Sequence, residues 1–128
     1  MTERYRRGDP AGAVHDLLAL IGPDRRAFIE RAIPGGIEQA EKDAATFFDI
    51  ELPAIAQWTF GTEQAAAIGC PVLSVLGTES TPLFVEGRRL LHTWFPRCQD
   101  ADIAGAGHYL QMEQPHAVAT ALAAFLTH

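Results

Sequence analysis

The apolar run at residues 71–76, Pro-Val-Leu-Ser-Val-Leu, restricts the possible folds of this chain more than any other feature. It begins with a proline, contains no charged residue and stops at Gly77, which is typical of a buried parallel strand. A weaker strand is predicted at 101–104, with one helical pattern before it and another after it. Strands joined through a helix almost always pair in parallel with a right-handed crossover. The order strand, helix, strand, helix therefore predicts an α/β fold with a short parallel sheet.

Prolines mark the ends of the two helices in this part of the chain. Pro82 suits the first turn of a helix with Thr81 as its N-cap, and Pro96 ends that helix. Pro115 begins the last helix. The apolar spacing predicts inward faces, formed by Leu83, Gly87, Leu90, Leu91 and Trp94 on the first helix and by Val118, Ala121, Leu122, Phe125 and Leu126 on the last.

Residues 8–60 are organised differently, because every apolar pattern there repeats at three- or four-residue steps. Three or four short helices are predicted, without a strand. Pro53 either kinks one of these helices or begins a further helix that ends near Trp58. We therefore divide the chain into a helical segment at 1–67 and a strand-containing segment at 68–128.

Composition and charge exclude several classes of function. The chain has 128 residues, of which 48% are hydrophobic and 20% charged, as in a globular domain with its own core. Its formal net charge of −6 gives no reason to expect nucleic acid or an anionic membrane as a partner. No stretch has the length of a membrane span or the apolar core of a signal peptide, and we expect a cytoplasmic protein.

The spacing of cysteines and histidines predicts no metal site, and no cofactor is expected. Cys70 and Cys98 are far apart, which is neither a zinc pattern nor a disulfide framework and suits a reducing compartment. Four histidines lack ligand spacing and are expected at the surface, namely His15, His92, His116 and His128.

The remaining histidine, His108, has a different setting. It ends the loop Gly105-Ala106-Gly107-His108, directly after the second predicted strand. Loops at the carboxyl ends of parallel strands are where open α/β sheets place their chemistry, and a short glycine loop lets an imidazole approach a substrate closely. An imidazole has a pKa near neutral pH and is therefore chemically suited to proton transfer at such a position. A loop histidine with a satisfied hydrogen bond is the alternative.

Together these segments resemble the C-terminal end of α/β-hydrolase fold enzymes. The resemblance lies in the stretch CPVLSVLGTE, the helix after it, and the closing stretch DIAGAGHYLQMEQPHAVATALAAFL. It implies a partial α/β-hydrolase fold, in which 1–67 is the helical lid, or cap, and 68–128 is the C-terminal part of the core. It also implies that His108 is the catalytic histidine, acting on a small apolar ester, lactone, epoxide or similar substrate.

Several acids are candidates for orienting this histidine. Members of the family place Asp three residues after the strand-ending glycine, where this chain has Ser80, and Glu79 lies one position earlier. The longer Glu79 carboxylate can reach the same imidazole nitrogen, or it is a solvated charge that favours the next helix. Asp49, Glu51 and an acid outside the chain are the other candidates.

Aromatic side chains of the helical segment are candidates for lining an apolar substrate pocket, namely Phe47, Phe48 and Trp58. The alternative is packing, because aromatic residues at helical spacing usually face a core.

The nucleophile of such an enzyme is missing. The chain has two serines, Ser74 and Ser80, and neither stands in Gly-x-Ser-x-Gly. We therefore expect the C-terminal half of a hydrolase that is inactive alone, and the alternative is a non-catalytic dimer or small-molecule-binding module derived from this fold. The strand at 71–76 would have an unpaired apolar edge. It is expected to pair with another copy or with a separately supplied N-terminal half.

Overall fold

The computed structural model of the protein describes residues 1–22 and 24–127. The chain is helix-rich and of the α/β type, with a short two-stranded parallel sheet. It divides into two compact units, of which the first is Met1–Thr59 and the second begins at Phe60. The role of 1–67 as a lid stays a prediction.

In the described part of the first unit the regular elements are all helices and none is a strand, as predicted for residues 8–60. Its elements are α1 (Thr2–Arg6), α2 (Pro10–Ile21), α3 (Arg25–Ala32), α4 (Gly36–Lys42), a π-helix (Thr46–Glu51) and α5 (Leu52–Gln57). Pro53 lies just after the π-helix, and the backbone of both Glu51 and Leu52 is right-handed helical, so the helix runs through this point without a break. Of the two alternatives for Pro53, an interrupted but continuous helix therefore describes the segment better than a separate further helix, and it ends near Trp58 as predicted. The Asp9 carboxylate caps α2 by accepting a hydrogen bond of 2.8 Å from the Gly12 amide. The buried core consists of Ala13, Val14, Leu18, Ile37, Ala44 and Phe48.

The second unit contains the predicted succession of strands and helices. Its elements are α6 (Thr62–Ala66), β1 (Leu73–Gly77), α7 (Pro82–Trp94), β2 (Gln99–Ile103), α8 (Leu110–Glu113) and α9 (Pro115–Leu126). The two strands are parallel neighbours, with Leu73 opposite Gln99 and Gly77 opposite Ile103. Strand β1 begins after Pro71, which has no amide to donate to the ladder.

Arg88 attaches α7 to the sheet. Its side chain is only 15% exposed. Nε donates a 3.0 Å hydrogen bond to the Ser74 hydroxyl, and Nη2 donates one of 3.2 Å to the Ala101 carbonyl. Nη1 forms an ion pair with Asp102. A buried guanidinium with these partners fixes which side of the helix faces the strands.

The inward face predicted for α7 is therefore wrong in part. Leu83 is 62% exposed and Leu90 46% exposed, and Gly87 is also exposed. Leu91 and Trp94 are partly buried as predicted. Phe84 and Arg88, which were not predicted, lie on the same side as Leu91 at helical spacing and are also partly buried. Thr81 occupies the N-cap position as predicted, but its side chain makes no capping hydrogen bond.

The second unit buries little apolar surface. No residue of α7 or α9 is buried, and Leu122 and Leu126, predicted to face inward on α9, are 43% and 79% exposed. Within residues 1–22 and 24–127 the sheet has no third strand, so β1 pairs along one edge only. None of the helices in this part of the chain has the length and apolar character needed to cross a membrane.

Candidate functional site

The loops that follow the two strands are hydrogen-bonded to each other. The Thr78 amide donates a 3.0 Å hydrogen bond to the Ile103 carbonyl, and the Glu79 amide donates one of 2.9 Å to the Ala106 carbonyl. The Gly105 amide donates in return to the Thr78 hydroxyl at 3.0 Å. Since both strands end at this edge of the sheet, the three bonds fix the His108 loop relative to the turn after β1.

Two glycines allow this close contact. Gly105 has a φ of +68°, a left-handed conformation that glycine adopts without strain. Gly77, the last residue of β1, has no room for a side chain, because a Cβ atom there would lie 2.5 Å from both the Ala106 carbonyl carbon and the Gly107 carbonyl oxygen. It would lie closer still to the Ala106 oxygen. The two loops can meet only because Gly77 ends the strand.

His108 is half-buried against an aromatic ring at the start of α7. Its imidazole stacks on the Phe84 ring, with 3.6 Å between ring centroids and 9° between ring planes. Tyr109 lies on another side, with a centroid distance of 5.8 Å. Burial lowers the pKa of His108, and the negative charge of Glu113 opposes that shift only in part. The ring is thus kept neutral near pH 7, the state in which an imidazole accepts a proton.

The ring nitrogens of His108 have no hydrogen-bond partner among the residues that the structure describes. The catalytic role of this histidine stays a prediction, and so does the alternative of a loop histidine satisfied by a hydrogen bond. A half-buried base without a partner is available to a substrate or to a second catalytic group.

Glu113 is the carboxylate that interacts with His108 in this structure. It ends the short helix α8, accepts a hydrogen bond from the Gly107 amide, and acts electrostatically on the imidazole. Glu113 is not among the acids predicted from the sequence, because the family pattern has its acid after β1. Its position five residues after His108, in the same loop region, was the available signal.

The acids selected from the sequence lie in other settings. Glu79 is exposed, and in the described part of the chain only its backbone is hydrogen-bonded, so its orienting role stays a prediction. Asp49 lies in the first unit, where it accepts a 2.5 Å hydrogen bond from the Tyr5 hydroxyl. Glu51 is exposed in the first unit.

Neither serine hydroxyl is exposed in a way that would let it attack a substrate. Ser74 is 6% exposed, and its hydroxyl accepts the hydrogen bond from Arg88. The Ser80 hydroxyl is buried and has no hydrogen-bond partner within the described ranges. Both cysteines are free thiols, with Cys70 exposed and Cys98 half-buried, and burial raises the pKa of Cys98.

The aromatic candidates for a substrate pocket belong to the first unit. Phe48 is 5% exposed and stacks on Tyr5 with a centroid distance of 4.7 Å, so it packs in the core of that unit. Phe47 meets Phe48 edge to face at 5.1 Å, and Trp58 is 67% exposed. A substrate contact by Phe47 or Trp58 stays a prediction.

Three potential metal ligands converge at the other end of the sheet. His92, Cys98 and Asp100 place their ligand atoms within 4.8 Å of one another. The sequence does not show the residue spacing of a known metal site, because His92 belongs to α7 whereas Cys98 and Asp100 lie at the start of β2. Of the other histidines expected at the surface, His15 and His116 are exposed, and His128 lies outside the described residues.

Comparison with known proteins gives no match of any family model, any curated protein or any solved structure to this chain. The residues and their geometry are therefore the basis of the functional assignment.

Proposed function

We propose that this chain supplies the C-terminal part of an enzyme of the α/β-hydrolase type. In it, His108 acts as general base in the hydrolysis of a small apolar ester, lactone or epoxide. The observation that supports this most directly is the position of His108, which is a half-buried imidazole on a fixed glycine loop at the carboxyl end of β2. Its lowered pKa favours the neutral ring that proton abstraction needs.

The attacking group would come from another polypeptide segment. Ser74 lies inside β1 and is bonded to Arg88. Ser80 lies in the turn between β1 and α7, but its hydroxyl is buried and not exposed as a nucleophile is in this class of enzyme. Without a nucleophile and an oxyanion hole, a histidine and an acid retain little of the catalytic power of acyl transfer. We therefore expect this chain to be inactive alone.

Unpaired surfaces support the expectation of a completing segment. Strand β1 has a partner on one edge only within the described residues, and α7 and α9 expose large apolar side chains. Parallel sheets are normally covered on both faces and continued on both sides of a strand such as β1. An N-terminal half of the enzyme that pairs along 71–76 would satisfy the free edge.

Two carboxylates compete for the role of orienting acid. Glu79 is the acid that the family pattern indicates, and Glu113 is the one whose charge acts on His108. The pair of variants Glu79→Gln and Glu113→Gln separates them, because each removes a charge while keeping the shape of the side chain. The variant of the orienting acid should lower kcat and move the acidic limb of the pH–rate profile, whereas the other should leave the profile unchanged.

The central experiment is a fluorescent ester assay on this chain alone and on the chain completed by a segment that carries Gly-x-Ser-x-Gly. In the completed enzyme, His108→Ala should lower turnover by about 10²- to 10⁴-fold. His116→Ala is the matched control, because His116 is exposed on α9 and should be dispensable. Turnover that persists after His108→Ala would refute the role of this histidine.

A non-catalytic dimer or small-molecule-binding module is the second candidate function. The free edge of β1 favours it, because two copies can pair edge to edge and satisfy each other. Analytical ultracentrifugation distinguishes the candidates. A stable symmetric dimer that binds small apolar molecules and gains no activity from a completing segment would favour the module.

A further inference from the structure

We infer that His92, Cys98 and Asp100 bind a divalent metal ion of the zinc class. The site lies in the second unit and is separate from the loop of His108. His92 is in the last turn of α7, Cys98 immediately precedes β2, and Asp100 is the second residue of that strand. The inference does not depend on the proposed hydrolase function.

The backbone places the three ligands on one side. Cys98 and Asp100 are two residues apart at the start of an extended strand, and residues with this spacing point to the same face of a sheet. Helix α7 packs against the sheet through Arg88, and His92 lies one helical turn after that residue. The imidazole is therefore carried to the face on which the thiol and the carboxylate lie.

The distances are close to those of a tetrahedral zinc site. His92 Nε2 lies 3.1 Å from Asp100 Oδ1 and 3.0 Å from Asp100 Oδ2. Zinc bond lengths at a tetrahedral angle imply about 3.4 Å between a nitrogen and an oxygen ligand and about 3.6 Å between a nitrogen and a sulfur ligand. All three ligand atoms lie within 4.8 Å of one another, so the Cys98 sulfur has to approach the other two ligand atoms by no more than about 1.2 Å to reach this geometry.

The donor set selects the class of ion. Thiolate and imidazole are ligands that zinc and similar transition metals prefer, whereas magnesium and calcium prefer sites made of oxygen atoms. On binding, the Cys98 thiol gives its proton to solvent, and the resulting thiolate forms the bond to the metal. Three protein ligands leave a fourth position for water.

The position of Arg88 and the solvent exposure of His92 and Asp100 are both compatible with a bound metal ion. Arg88 forms an ion pair with Asp100, with 3.5 Å between Nε and Oδ1, while the Nε hydrogen itself is donated to the Ser74 hydroxyl. The ion pair holds the carboxylate beside His92, whose Nε2 lies within 3.1 Å of both oxygens. Second-shell contacts of this kind orient ligands. The site is also reachable from solvent, since the side chains of His92 and Asp100 are 38% and 41% exposed. A bound ion would join the end of α7 to β2 and stabilise the second unit by linkage.

The test is a titration of the full chain with Co²⁺ under reducing conditions. We expect one ion per chain, a near-ultraviolet absorption from thiolate-to-cobalt charge transfer, and its disappearance when Zn²⁺ is added. Cys98→Ser should remove this absorption and weaken Zn²⁺ binding by more than about 100-fold, because losing a ligand costs more than losing a second-shell contact. His92→Gln should weaken binding to a similar extent, and it serves as the test if Cys98→Ser does not fold.

Matched controls identify the ligands. Cys70→Ser removes the other thiol, and His116→Ala removes an exposed imidazole, so neither should change the affinity or the absorption. Zn²⁺ should raise the Tm of the wild-type chain but not that of Cys98→Ser. The inference is overturned if the wild-type chain shows no thiolate absorption, or if the absorption is lost with Cys70→Ser and kept with Cys98→Ser.

Discussion

Replacement of Gly77 by alanine tests the contact between the two loops. A Cβ atom at this position would lie 2.5 Å from the Ala106 carbonyl carbon and from the Gly107 carbonyl oxygen. Both neighbours are backbone atoms, and the loop that contains them is hydrogen-bonded to Thr78 and Glu79. The loop cannot yield by rotating a side chain, so Gly77→Ala must push the His108 loop away from the end of β1.

The magnitude follows from the atoms involved. Adding a methyl group to a closely packed site costs about 1–3 kcal/mol, and the upper end applies where the neighbours are backbone. Moving the loop also breaks the 2.9 Å hydrogen bond from the Glu79 amide to Ala106, which contributes about 1 kcal/mol. We expect Gly77→Ala to lower the free energy of unfolding of the second unit by about 3–4 kcal/mol. That is a change of more than about 100-fold in its folding equilibrium.

The assay is urea unfolding followed by the fluorescence of Trp94, which packs on Phe60 in the second unit at a centroid distance of 4.9 Å. A Trp58→Phe background removes the signal of the first unit. Gly87→Ala is the matched control, because Gly87 is exposed inside α7 with no atom within 4 Å of a new Cβ. It should raise stability by about 1 kcal/mol through helix propensity. An unfolding midpoint for Gly77→Ala equal to or above that of the starting chain would refute the loop contact.

Three further perturbations test the cap, the helix attachment and the histidine. Asp9→Ala removes the hydrogen bond to the Gly12 amide and should destabilise the first unit by about 1 kcal/mol in urea unfolding. Arg88→Met leaves the buried Ser74 hydroxyl without its donor, and should lower the free energy of unfolding of the second unit by about 1–3 kcal/mol. The lowered pKa of His108 means that the unfolded chain binds this proton more readily than the folded chain. The stability that depends on a neutral His108 is therefore complete above the unfolded pKa of about 6.5 and declines as the pH falls below that value. Urea unfolding midpoints across this range and an NMR titration of His108 measure the effect.

Each of these tests has a conservative control. Asp9→Asn keeps an acceptor at the N-cap and should retain most of the stability. Arg89→Met changes a residue that is 74% exposed, and its effect should stay within about 0.5 kcal/mol. Phe84→Leu removes the stacked ring and should move the pKa of His108 back toward the ordinary value of histidine. An His108 pKa at or above about 6.5 in the unmodified chain would contradict the burial argument.

The first strand was predictable because proline and glycine mark it, whereas β2 begins at Gln99, two residues before the predicted 101–104. Pro71 and Gly77 bound the first apolar run, and the pairing of β1 with β2 follows from the helix between them. The same holds for the glycine loop of His108, since Gly105 needs its left-handed conformation and Gly77 needs its missing side chain. These are local constraints, and a single sequence displays them directly.

The inward face of α7 and the potential metal ligands were not predictable, because they depend on tertiary contacts. Arg88 is a charged residue that a hydrophobic stripe excludes, yet the backbone of β1 and β2 gives it partners. His92 meets Asp100 only when the helix lies on the sheet. Charge and spacing along the chain do not indicate that these two residues are in contact. Glu113 is a different case, because its position five residues after His108 was a local signal that the family pattern, with its acid after β1, did not use.

The exposed apolar side of α7 indicates a second surface that a completing segment has to cover. Leu83 and Leu90 are exposed, while Arg88 faces the sheet, so the helix is apolar on a side that β1 and β2 do not cover. A helix that is apolar on more than one side is normally packed against more than one partner. A completing segment that extends the sheet beyond β1 would satisfy the strand edge but would leave this side of α7 in water. We therefore expect the complete assembly to cover both surfaces, and protection of the β1 amides from hydrogen exchange without protection of Leu83 and Leu90 from solvent labelling would contradict that expectation.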